Sequence, residues 1–462
     1  MPEDQRFDVV IVGSGPAGIF AALELVRAGR SRVAIVEKGH GLEARRCPAR
    51  QEYCISCPSC DITSGWGGAG AFSDGKLTLT PDVGGWLADF VGREGLEELI
   101  AYADGLWVEF GADAGVHGPD PDTEARLVRE AVLADMRLVP MRLRHLGTDR
   151  APKVLAGMQD HLAAKGVTVL IDTEVTSILA DGGHARGVEL ADGSRLRSNA
   201  VIVGPGRVGS GWLAAEAERL GIGLVNNAVD IGLRVEVPAP VMERLTEPLY
   251  EAKLIYHSRA FGDEVRTFCM NPYGEVTTEC YGDIVTVNGH SYAEDRTANT
   301  NFAVLVSQRF TKPFRDPITY GKSVANLANL LGEGIIVQRL GDLEAGRRST
   351  PERLRQSVVE PTLPQATPGD LSFVLPYRHL ADILEFLHRM DELAPGVARP
   401  GTLLYGVEVK FYSSRLELDS TLMTQVAGLY AVGDGAGVTR GLAQSSASGI
   451  VAARGVLAQL AG

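Results

Sequence analysis

A glycine-rich turn between two short apolar segments is the feature that most constrains this chain. Residues 7–12, FDVVIV, have the length and composition of a buried parallel strand, and residues 13–18, GSGPAG, follow at once. An apolar-periodic helix then continues to Gly29, and residues 33–36 form a second apolar segment. Strand, glycine turn, helix and second strand in this order predict a βαβ unit that binds a dinucleotide. A structural turn without a ligand is the alternative.

Each position of this unit has a physical task in holding a diphosphate. Gly13 permits the tight turn, Gly15 lets the backbone approach the pyrophosphate, and Gly18 lets the helix pack closely on the strand. The helix N-terminus directs free N–H groups and the positive end of its dipole towards the anion. Glu37 stands about twenty residues further on, where a carboxylate accepts hydrogen bonds from the adenosine ribose and disfavours a 2′-phosphate. The predicted nucleotide contacts are Gly13, Gly15, Pro16, Ala17, Gly18, Glu37 and Lys38.

Length, composition and charge narrow the class of protein. The chain has 462 residues, more than one hydrophobic core needs, so we expect two or three lobes. It contains 54 glycines where ~33 would be usual, which indicates close approach of the backbone to a ligand. The net charge of −13 makes nucleic acid and anionic membrane surfaces poor partners. We recognise no targeting or membrane segment, and we expect a reducing cytoplasm as the setting.

A second signature stands near the C-terminus. Residues 428–434, GLYAVGD, form a short apolar strand that delivers an aspartate, and a glycine turn and a helix of small residues follow. In combination with the first turn, this motif resembles the FAD-dependent oxidoreductases of the glutathione-reductase superfamily. The resemblance implies that Gly433 and Asp434 contact the ribityl chain of FAD. It also implies that the next helix N-terminus stabilises the N1–C2=O edge of the reduced flavin. The backbone at that helix N-terminus belongs to Leu442, Ala443 and Gln444.

Four longer motifs narrow the resemblance. They are SGWGGAGAFSDGKLTL at 64–79, TFCMNPYGEV at 267–276, VNGHSYAEDRTANTNFAVLV at 287–306 and GDGAGVTRGLAQSSASG at 433–449. Together they are similar to the family usually called uncharacterised FAD-dependent dehydrogenases, over almost the whole chain. The resemblance implies an α/β fold: a Rossmann-like FAD-binding domain of the glutathione-reductase type, with a helical insertion and a second α+β substrate domain. It also implies an FAD-dependent oxidoreductase that moves a hydride between flavin N5 and a small organic substrate.

The motifs divide the chain into three parts. Residues 1–85, 150–225 and 405–462 carry the FAD motifs and are predicted to form one discontinuous FAD-binding domain. Residues 86–149 have helical spacing and predict a helical insertion. Residues 226–404 alternate β-rich and helical pieces and predict the substrate domain.

A third glycine motif, GPGRVG at 204–209, leaves two interpretations open. It follows a strand and leads towards a helix, so one interpretation is a separate NAD(P) site, with NAD(P)H as a transient reductant. The other is that the hairpin-like stretch 175–198 returns the chain to the FAD sheet, and that the strand after it closes over the flavin nucleotide. On the second interpretation Val175 and Gly204 contact the cofactor.

The loop 65–70 is predicted to lie against the flavin. A loop this rich in glycine lets the backbone press against a ligand, and the family resemblance puts it near the pyrophosphate and the isoalloxazine ring. Beyond it, Lys76 could place a cation beside N5 or N1, with Asp74 orienting it. The alternative is a turn followed by a solvated lysine. The predicted loop contacts are Gly67, Gly68, Ala69 and Gly70.

A histidine in the predicted substrate domain is a candidate acid/base. His290 lies in a polar, aromatic stretch and could handle the proton that accompanies the hydride, although a structural histidine is the commoner outcome. Arg234, Lys410 and Tyr412 are second-rank candidates for binding an anionic or carbonyl substrate. More often, such residues cover the surface or cap strands.

Four of the six cysteines lie in one short stretch. The spacing of Cys47, Cys54, Cys57 and Cys60 resembles a ferredoxin iron–sulfur site more than paired zinc knuckles. The extra cysteine, however, lies upstream of the tight run and not downstream. An iron–sulfur or zinc centre, a redox pair of thiols and inert thiols therefore all stay open. The other two, Cys269 and Cys280, are expected in the core.

Two other functions fit the same motifs. The first is a flavin monooxygenase that uses NAD(P)H and oxygen, which the same fold supports. The second is an electron-transfer or redox-sensing flavoprotein that has the cysteine cluster as its second centre. The substrate, the direction of hydride transfer and the oligomeric state do not follow from the sequence.

Overall fold

A computed structural model defines the fold of most of the chain. The residues it describes are 4–47, 57, 59–72, 75–146, 150–225, 228–249, 251–281, 284–291, 296–308, 310, 317–410 and 415–461. The strands are β1 Gln5–Arg6, β2 Val9–Val12, β3 Val33–Val36, β4 Lys76–Thr78, β5 Arg137–Val139, β6 Leu143–His145, β7 Thr168–Leu170, β8 Val175–Asp181, β9 His184–Leu190, β10 Arg195–Arg197, β11 Val201–Val203, β12 Leu224–Val225, β13 Val229–Pro238, β14 Lys253–His257, β15 Glu264–Asn271, β16 Glu275–Tyr281, β17 Ile284–His290, β18 Asn299–Gln308, β19 Ile336–Arg339, β20 Thr367–Pro368, β21 Leu403–Lys410, β22 Arg415–Leu416 and β23 Leu429–Ala431. The helices are α1 Pro16–Arg27, α2 Ala88–Val91, α3 Arg93–Glu109, α4 Pro121–Leu133, α5 Ala151–Ala164, α6 Ser210–Arg219, α7 Ala239–Leu249, α8 Pro317–Gly332, α9 Leu340–Glu344, α10 Pro351–Arg355, α11 Tyr377–Met390 and α12 Leu442–Ala461.

The described residues form two compact units. Unit 1 lies within 1–116, 142–227 and 413–462, and unit 2 lies within 117–141 and 228–412. The segment 86–149, predicted as one helical insertion, is divided between the two units and contains β5 and β6 as well as helices. It divides because β5 pairs with β14 in the sheet of unit 2. The predicted boundary at residue 405 also differs, since β21 pairs with β13 in the same sheet.

Unit 1 is built on a parallel sheet with the strand order β23-β11-β2-β3-β7. Strands β2, β3, β11 and β23 consist of Val, Ile, Ala, Leu and Tyr and are buried along their whole length, as parallel strands covered on both faces must be. Helix α1 follows β2 directly and packs along α12. Because neighbouring strands are parallel, the carboxyl ends of β2, β11 and β23 share one sheet edge, where α1 begins.

The stretch 175–198 forms antiparallel hairpins next to this sheet. β8 pairs with β9, and β9 pairs with β10, with glycines at positive φ in both connections. The chain then enters β11, which lies between β2 and β23. The chain thus returns from the hairpins to the parallel sheet of unit 1; whether residues after β11 contact a cofactor, as the second interpretation predicts, stays a prediction.

Unit 2 is built on a mainly antiparallel sheet with the strand order β20-β19-β21-β13-β18-β15-β14-β5. The two faces of β13 differ in chemistry. Ile231, Leu233 and Val235 belong to an apolar core that also contains residues of α7 and α11. The alternating residues on the opposite face include Arg234 and Glu236, and both are fully buried. Among the described residues, no helix of either unit combines the length and apolarity that crossing a bilayer requires.

Helix α11 of unit 2 contains two buried titratable side chains one turn apart, His379 and Asp382. They are 3% and 0% exposed, and neither the ring nitrogens nor the carboxyl oxygens have a well-formed hydrogen-bond partner in the described part of the chain. Burial lowers the pKa of His379 to about 4. Burial also raises the pKa of Asp382 to about 6, and the neighbouring Asp263 carboxylate adds to that rise.

Candidate functional site

The turn between β2 and α1 combines tight packing with open space. Gly13 has a φ of +95°, and a Cβ there would lie 2.3 Å from the backbone oxygen of Gly204. A Cβ at Gly18 would lie 2.0 Å from the oxygen of Gly13. At Gly15, by contrast, a Cβ would meet no described atom within 4 Å beyond its chain neighbours. Packing therefore excludes side chains at two of the glycines, whereas the third borders open space.

That open space lies at the N-terminus of α1. Gly15 is the N-cap residue, no side chain caps the helix in the described structure, and Pro16 occupies the first turn. The first N–H groups of a helix have no intrahelical partner, and the helix dipole adds partial positive charge at the same end. The turn therefore offers N–H donors and space for an anion such as a diphosphate.

The glycine-rich loop 65–70 lies against this turn. The N–H of Gly67 donates to the oxygen of Ser14 over 2.9 Å. A Cβ at Gly68 would lie 3.1 Å from the Cα of Gly15. A Cβ at Gly70 would meet the side chain of Leu442 at 2.7 Å and that of Pro16 at 3.4 Å. The structure thus brings the first glycine turn, the loop and the N-terminus of α12 together.

The second and third glycine motifs meet at the same place. A Cβ at Gly433 would lie 3.3 Å from the Cβ of Ala17, and a Cβ at Gly204 would lie 3.7 Å from that same atom. A Cβ at Gly435 would lie 2.5 Å from the backbone oxygen of Gly206. The loop after β11 and the loop after β23 are therefore packed backbone to backbone beside α1.

Glu37 ties three segments of this site together. Its Oε2 accepts hydrogen bonds from the N–H and the hydroxyl of Ser14, both at 2.9 Å. Its Oε1 accepts from the N–H groups of Gly39, at 2.9 Å, and Gly65, at 3.0 Å. The carboxylate is buried and already serves four protein donors, so the structure assigns it an organising role. Its predicted contact with the adenosine ribose stays a prediction, as does that of its exposed neighbour Lys38.

Arg45 is a site residue that the sequence analysis missed. Its guanidinium is 4% exposed and donates to the backbone oxygens of Asp61, Ile62, Trp66 and Gly68 over 2.7 to 3.1 Å. Burial lowers the pKa of Arg45 to about 10, while the nearby carboxylates of Glu37 and Asp61 oppose that shift. The side chain therefore holds the glycine-rich loop in shape. Nothing in its spacing distinguishes it from its neighbour Arg46, so no sequence signal points to it.

Asp434 follows the strand of the second signature, β23, by three residues, and its side chain is mostly buried. The hydroxyl of Thr439 donates to its Oδ1 over 3.0 Å, and the Nε of Arg207 lies 3.3 Å from its Oδ2. Burial raises the pKa of Asp434, whereas Arg207, Thr439 and Arg440 oppose the rise. The structure places an acceptor of hydrogen bonds here, as the predicted ribityl contact requires.

Gln444, in the first turn of α12, has an unused acceptor. Its Nε2 donates to the backbone oxygens of Val83, at 2.9 Å, and Pro81, at 3.3 Å. Its Oε1 is buried and accepts no hydrogen bond from any described group. A buried amide oxygen without a donor is costly, and it is the type of group that a bound ligand satisfies.

The three predicted catalytic residues lie in different parts of the chain. Lys76 is half-buried in β4, opposite His145 of β6, within unit 1. Asp74 lies outside the described residues. His290 is exposed at the end of β17, opposite Glu275, in unit 2. Their catalytic roles stay predictions.

For Arg234 the structure corrects the predicted role in substrate binding. It was a second-rank candidate for substrate binding, yet its side chain is 0% exposed and forms a bidentate ion pair with Glu408 at 2.7 and 2.8 Å. Its Nη1 also donates to the backbone oxygen of Cys269 and to Asn301 Oδ1. Because its donors are committed inside the protein, Arg234 is a structural residue. Cys269 itself is half-buried and not part of the core, and the side chain of Cys280 is not described.

The cysteine cluster is only partly described. Cys47, Cys57 and Cys60 form no disulfide with one another or with any other described cysteine, and Cys54 lies outside the described residues. Among the residues that are described, no group of three or more His, Cys, Asp or Glu side chains is arranged to hold a metal ion. The metal, redox and inert interpretations stay open for the complete set of four.

Two family models match parts of this chain. Residues 8–45 match the family model of the FAD binding domain, and residues 229–411 match the model described as FAD-dependent protein, C-terminal domain-like. The turn, the uncapped helix and the unused acceptor of Gln444 described above fit this cofactor. The chain therefore contains a segment similar to FAD-binding domains and a domain similar to the C-terminal domain of FAD-dependent proteins. Its sheet at residues 8–45 is the Rossmann-like part of an FAD-binding domain.

Individual proteins that resemble this chain over its length have low sequence identity to it. An uncharacterised protein of Clostridium beijerinckii is 26% identical over 483 aligned positions, which cover 98% of this chain and 81% of that protein. Among solved structures, 3-ketosteroid-Δ4-(5α)-dehydrogenase from Rhodococcus jostii RHA1 is 15% identical, with a TM-score of 0.46 and coverage of 98% and 97%. L-proline dehydrogenase from P. horikoshii is 10% identical, with a TM-score of 0.40 and coverage of 99% and 95%.

Proposed function

We propose that this protein is an FAD-dependent oxidoreductase that moves a hydride between the flavin and a small organic substrate. The observation that carries the proposal is the turn at residues 13–18, with open space in front of an uncapped helix N-terminus. When bound, FAD supplies acceptance or donation of a hydride, which no protein side chain can perform. The chain then has to bind, orient and tune the cofactor, and to recognise the substrate.

Unit 1 holds the cofactor from three sides in this proposal. The N–H groups of α1 bind the diphosphate, since they carry no other partner in the helix. The Asp434 carboxylate accepts a hydrogen bond from a ribityl hydroxyl. The N-terminus of α12 presents its dipole to the flavin, and the Oε1 of Gln444 offers an acceptor to an N–H of the ring. The contacts of Val175, Ala69 and Ala443 belong to the same proposal.

Unit 2 supplies substrate recognition in this proposal, through the polar face of its sheet. Lys410 Nζ lies 3.2 Å from both Glu279 Oε2 and Glu408 Oε1. Arg266 is paired with Asp230. Because each of these cations has a carboxylate partner, the face offers hydrogen-bonding groups without an excess of positive charge. This balance favours a neutral or zwitterionic substrate over a polyanion.

The test is anaerobic mixing of the holoenzyme with candidate hydride donors. The panel consists of neutral alcohols, amino acids and hydroxy acids, each with a C–H bond next to the heteroatom. We expect one class to bleach the flavin absorbance, and deuterium at that C–H bond to slow the bleaching. His290→Gln, measured in the same assay, tests the proposed acid/base role: an unchanged rate and pH profile would remove it.

Two outcomes would replace the proposal. Reduction by NAD(P)H alone, followed by formation of a hydroxylated product when oxygen is added, would show a monooxygenase. Bleaching by one-electron donors only, with no turnover of any small molecule, would show an electron-transfer protein. The cytoplasmic setting rests on the sequence alone and is tested by fractionation of cells that express the protein.

A further inference from the structure

Asp434 has a cationic neighbour that no motif assigns. Arg207 lies on the loop after β11, four residues beyond the end of that strand, and its Nε is 3.3 Å from Asp434 Oδ2. The contact is fixed from both sides. The hydroxyl and the N–H of Ser210 bond to the backbone oxygen of Arg207, and Gly435 is packed against Gly206.

We propose that Arg207 is a positioning residue for the flavin, which holds the Asp434 carboxylate as an ionised acceptor for the ribityl chain. The inference rests on the proposed contact between Asp434 and FAD. The two residues come from different glycine motifs, so the third motif contributes to the cofactor site through a side chain and not through its glycines alone.

The burial of the Asp434 side chain explains why its charge needs a cationic neighbour. The Asp434 side chain is 19% exposed, whereas that of Arg207 is 66% exposed. Removing a carboxylate from water favours its neutral form, and burial raises the pKa of Asp434 accordingly. The charged groups that oppose this are Arg207 and, from the segment before α12, Arg440; Thr439 contributes a hydrogen bond. Arg440 is also stacked on Trp86, 4.3 Å from the ring centroid.

Losing Arg207 therefore changes the pH dependence of cofactor binding. In Arg207→Gln the pKa of Asp434 rises further, so the carboxyl takes up a proton at a higher pH than in the wild type. The neutral carboxyl is a weaker acceptor for a hydroxyl. We expect the Kd for FAD of Arg207→Gln to rise as the pH falls, and to begin rising at a higher pH than the Kd of the wild type.

The experiment titrates FAD into the apoprotein and follows quenching of flavin fluorescence at each pH. Arg207→Lys keeps the charge and should restore most of the wild-type profile. Arg195→Gln is the matched control, because Arg195 pairs with Glu189 at 3.1 Å on the surface of the same unit. Its FAD affinity should match the wild type at every pH.

The variant Asp434→Asn distinguishes the role of Arg207 from the contact between Asp434 and FAD on which that role rests. With a neutral side chain at 434, FAD binding should be weaker and independent of pH, and adding Arg207→Gln should have no further effect. If Asp434→Asn binds FAD normally, the proposed ribityl contact is wrong and the inference falls with it. If Asp434→Asn weakens binding but Arg207→Gln follows the wild type at every pH, only the role of Arg207 is wrong.

Discussion

Two glycines of the first turn, Gly15 and Gly18, predict different results for the same substitution to alanine. At Gly15 the backbone has φ −70° and ψ 177°, an ordinary extended conformation, and a Cβ meets nothing within 4 Å. Gly15→Ala apoprotein should therefore fold, with stability changed by no more than the ~0.4–1 kcal/mol gained from a stiffer unfolded chain. The new methyl group, however, occupies the space into which the pyrophosphate must come.

The expected loss of FAD affinity follows from the contacts that the methyl group displaces. A hydrogen bond to a charged group contributes roughly 1.5–3 kcal/mol. Losing one such bond between the α1 N–H groups and the diphosphate raises the Kd for FAD about 10- to 150-fold. Gly18→Ala differs, because its Cβ would lie 2.0 Å from a backbone oxygen. It should destabilise unit 1 by ~1–3 kcal/mol or more and lose FAD as a consequence.

The assay combines FAD titration of each apoprotein with denaturant unfolding. All four tryptophans, at 66, 86, 107 and 212, lie in unit 1, so tryptophan emission follows that unit. Gly105→Ala is the control, since Gly105 lies inside α3 with open space around it. It should gain ~0.5–1 kcal/mol and bind FAD like the wild type. Wild-type FAD affinity in Gly15→Ala would refute the placement of the pyrophosphate.

Buried groups elsewhere in the chain should respond to substitution in definite directions. Arg45→Met leaves four backbone oxygens without their donor, so unit 1 should lose ~3 kcal/mol in tryptophan-monitored unfolding and FAD should bind at least about tenfold more weakly; unchanged values would show that the loop does not need Arg45. In unit 2, the variant Asp382→Asn keeps His379 as the titrating group. Its pKa is about 4 in the folded protein and 6.5 in the unfolded chain, so the unfolded chain binds more protons between these values and the free energy of unfolding rises with pH there. The variant His379→Gln keeps Asp382 as the titrating group. Its pKa is about 6 in the folded protein and 3.8 in the unfolded chain, so the folded protein binds more protons between these values and the free energy of unfolding falls as the pH rises. Each slope should approach about 1.4 kcal/mol per pH unit in hydrogen exchange of α11, and the two largely cancel in the wild type; slopes of the same sign would contradict this. If Cys47, Cys54, Cys57 and Cys60 bind iron or zinc, anaerobically purified protein should contain the metal and lose it on Cys57→Ser, whereas metal-free, fully active protein would exclude the centre.

Local patterns predicted the parts of unit 1 whose geometry depends on short segments. The strand at 9–12, the glycine turn and the helix from Pro16 are all close in sequence, so the spacing of glycines and apolar residues determines them. The same holds for the strand at 429–431 and its aspartate. The model of the FAD binding domain covers the first of these segments, at residues 8–45, and supports the cofactor that the motif predicts.

Long-range pairings were not predictable in the same way. The four hydrogen bonds of Arg45 reach backbone oxygens up to 23 residues away, and they exist only once the glycine-rich loop has folded over it. The contact of Arg207 with Asp434 joins residues more than 200 positions apart. Arg234 shows the converse, because a charged residue in an alternating strand suggests a solvated face until its partner Glu408 is known.

The central claim is that the ADP half of FAD lies at the turn of residues 13–18. Competition titration tests it most directly, with FAD bound to the wild-type chain and ADP or FMN added as displacing ligands. The account predicts one FAD per chain, displacement by ADP but not by FMN at equal concentration, and loss of ADP binding in Gly15→Ala. Displacement by FMN without displacement by ADP would contradict it.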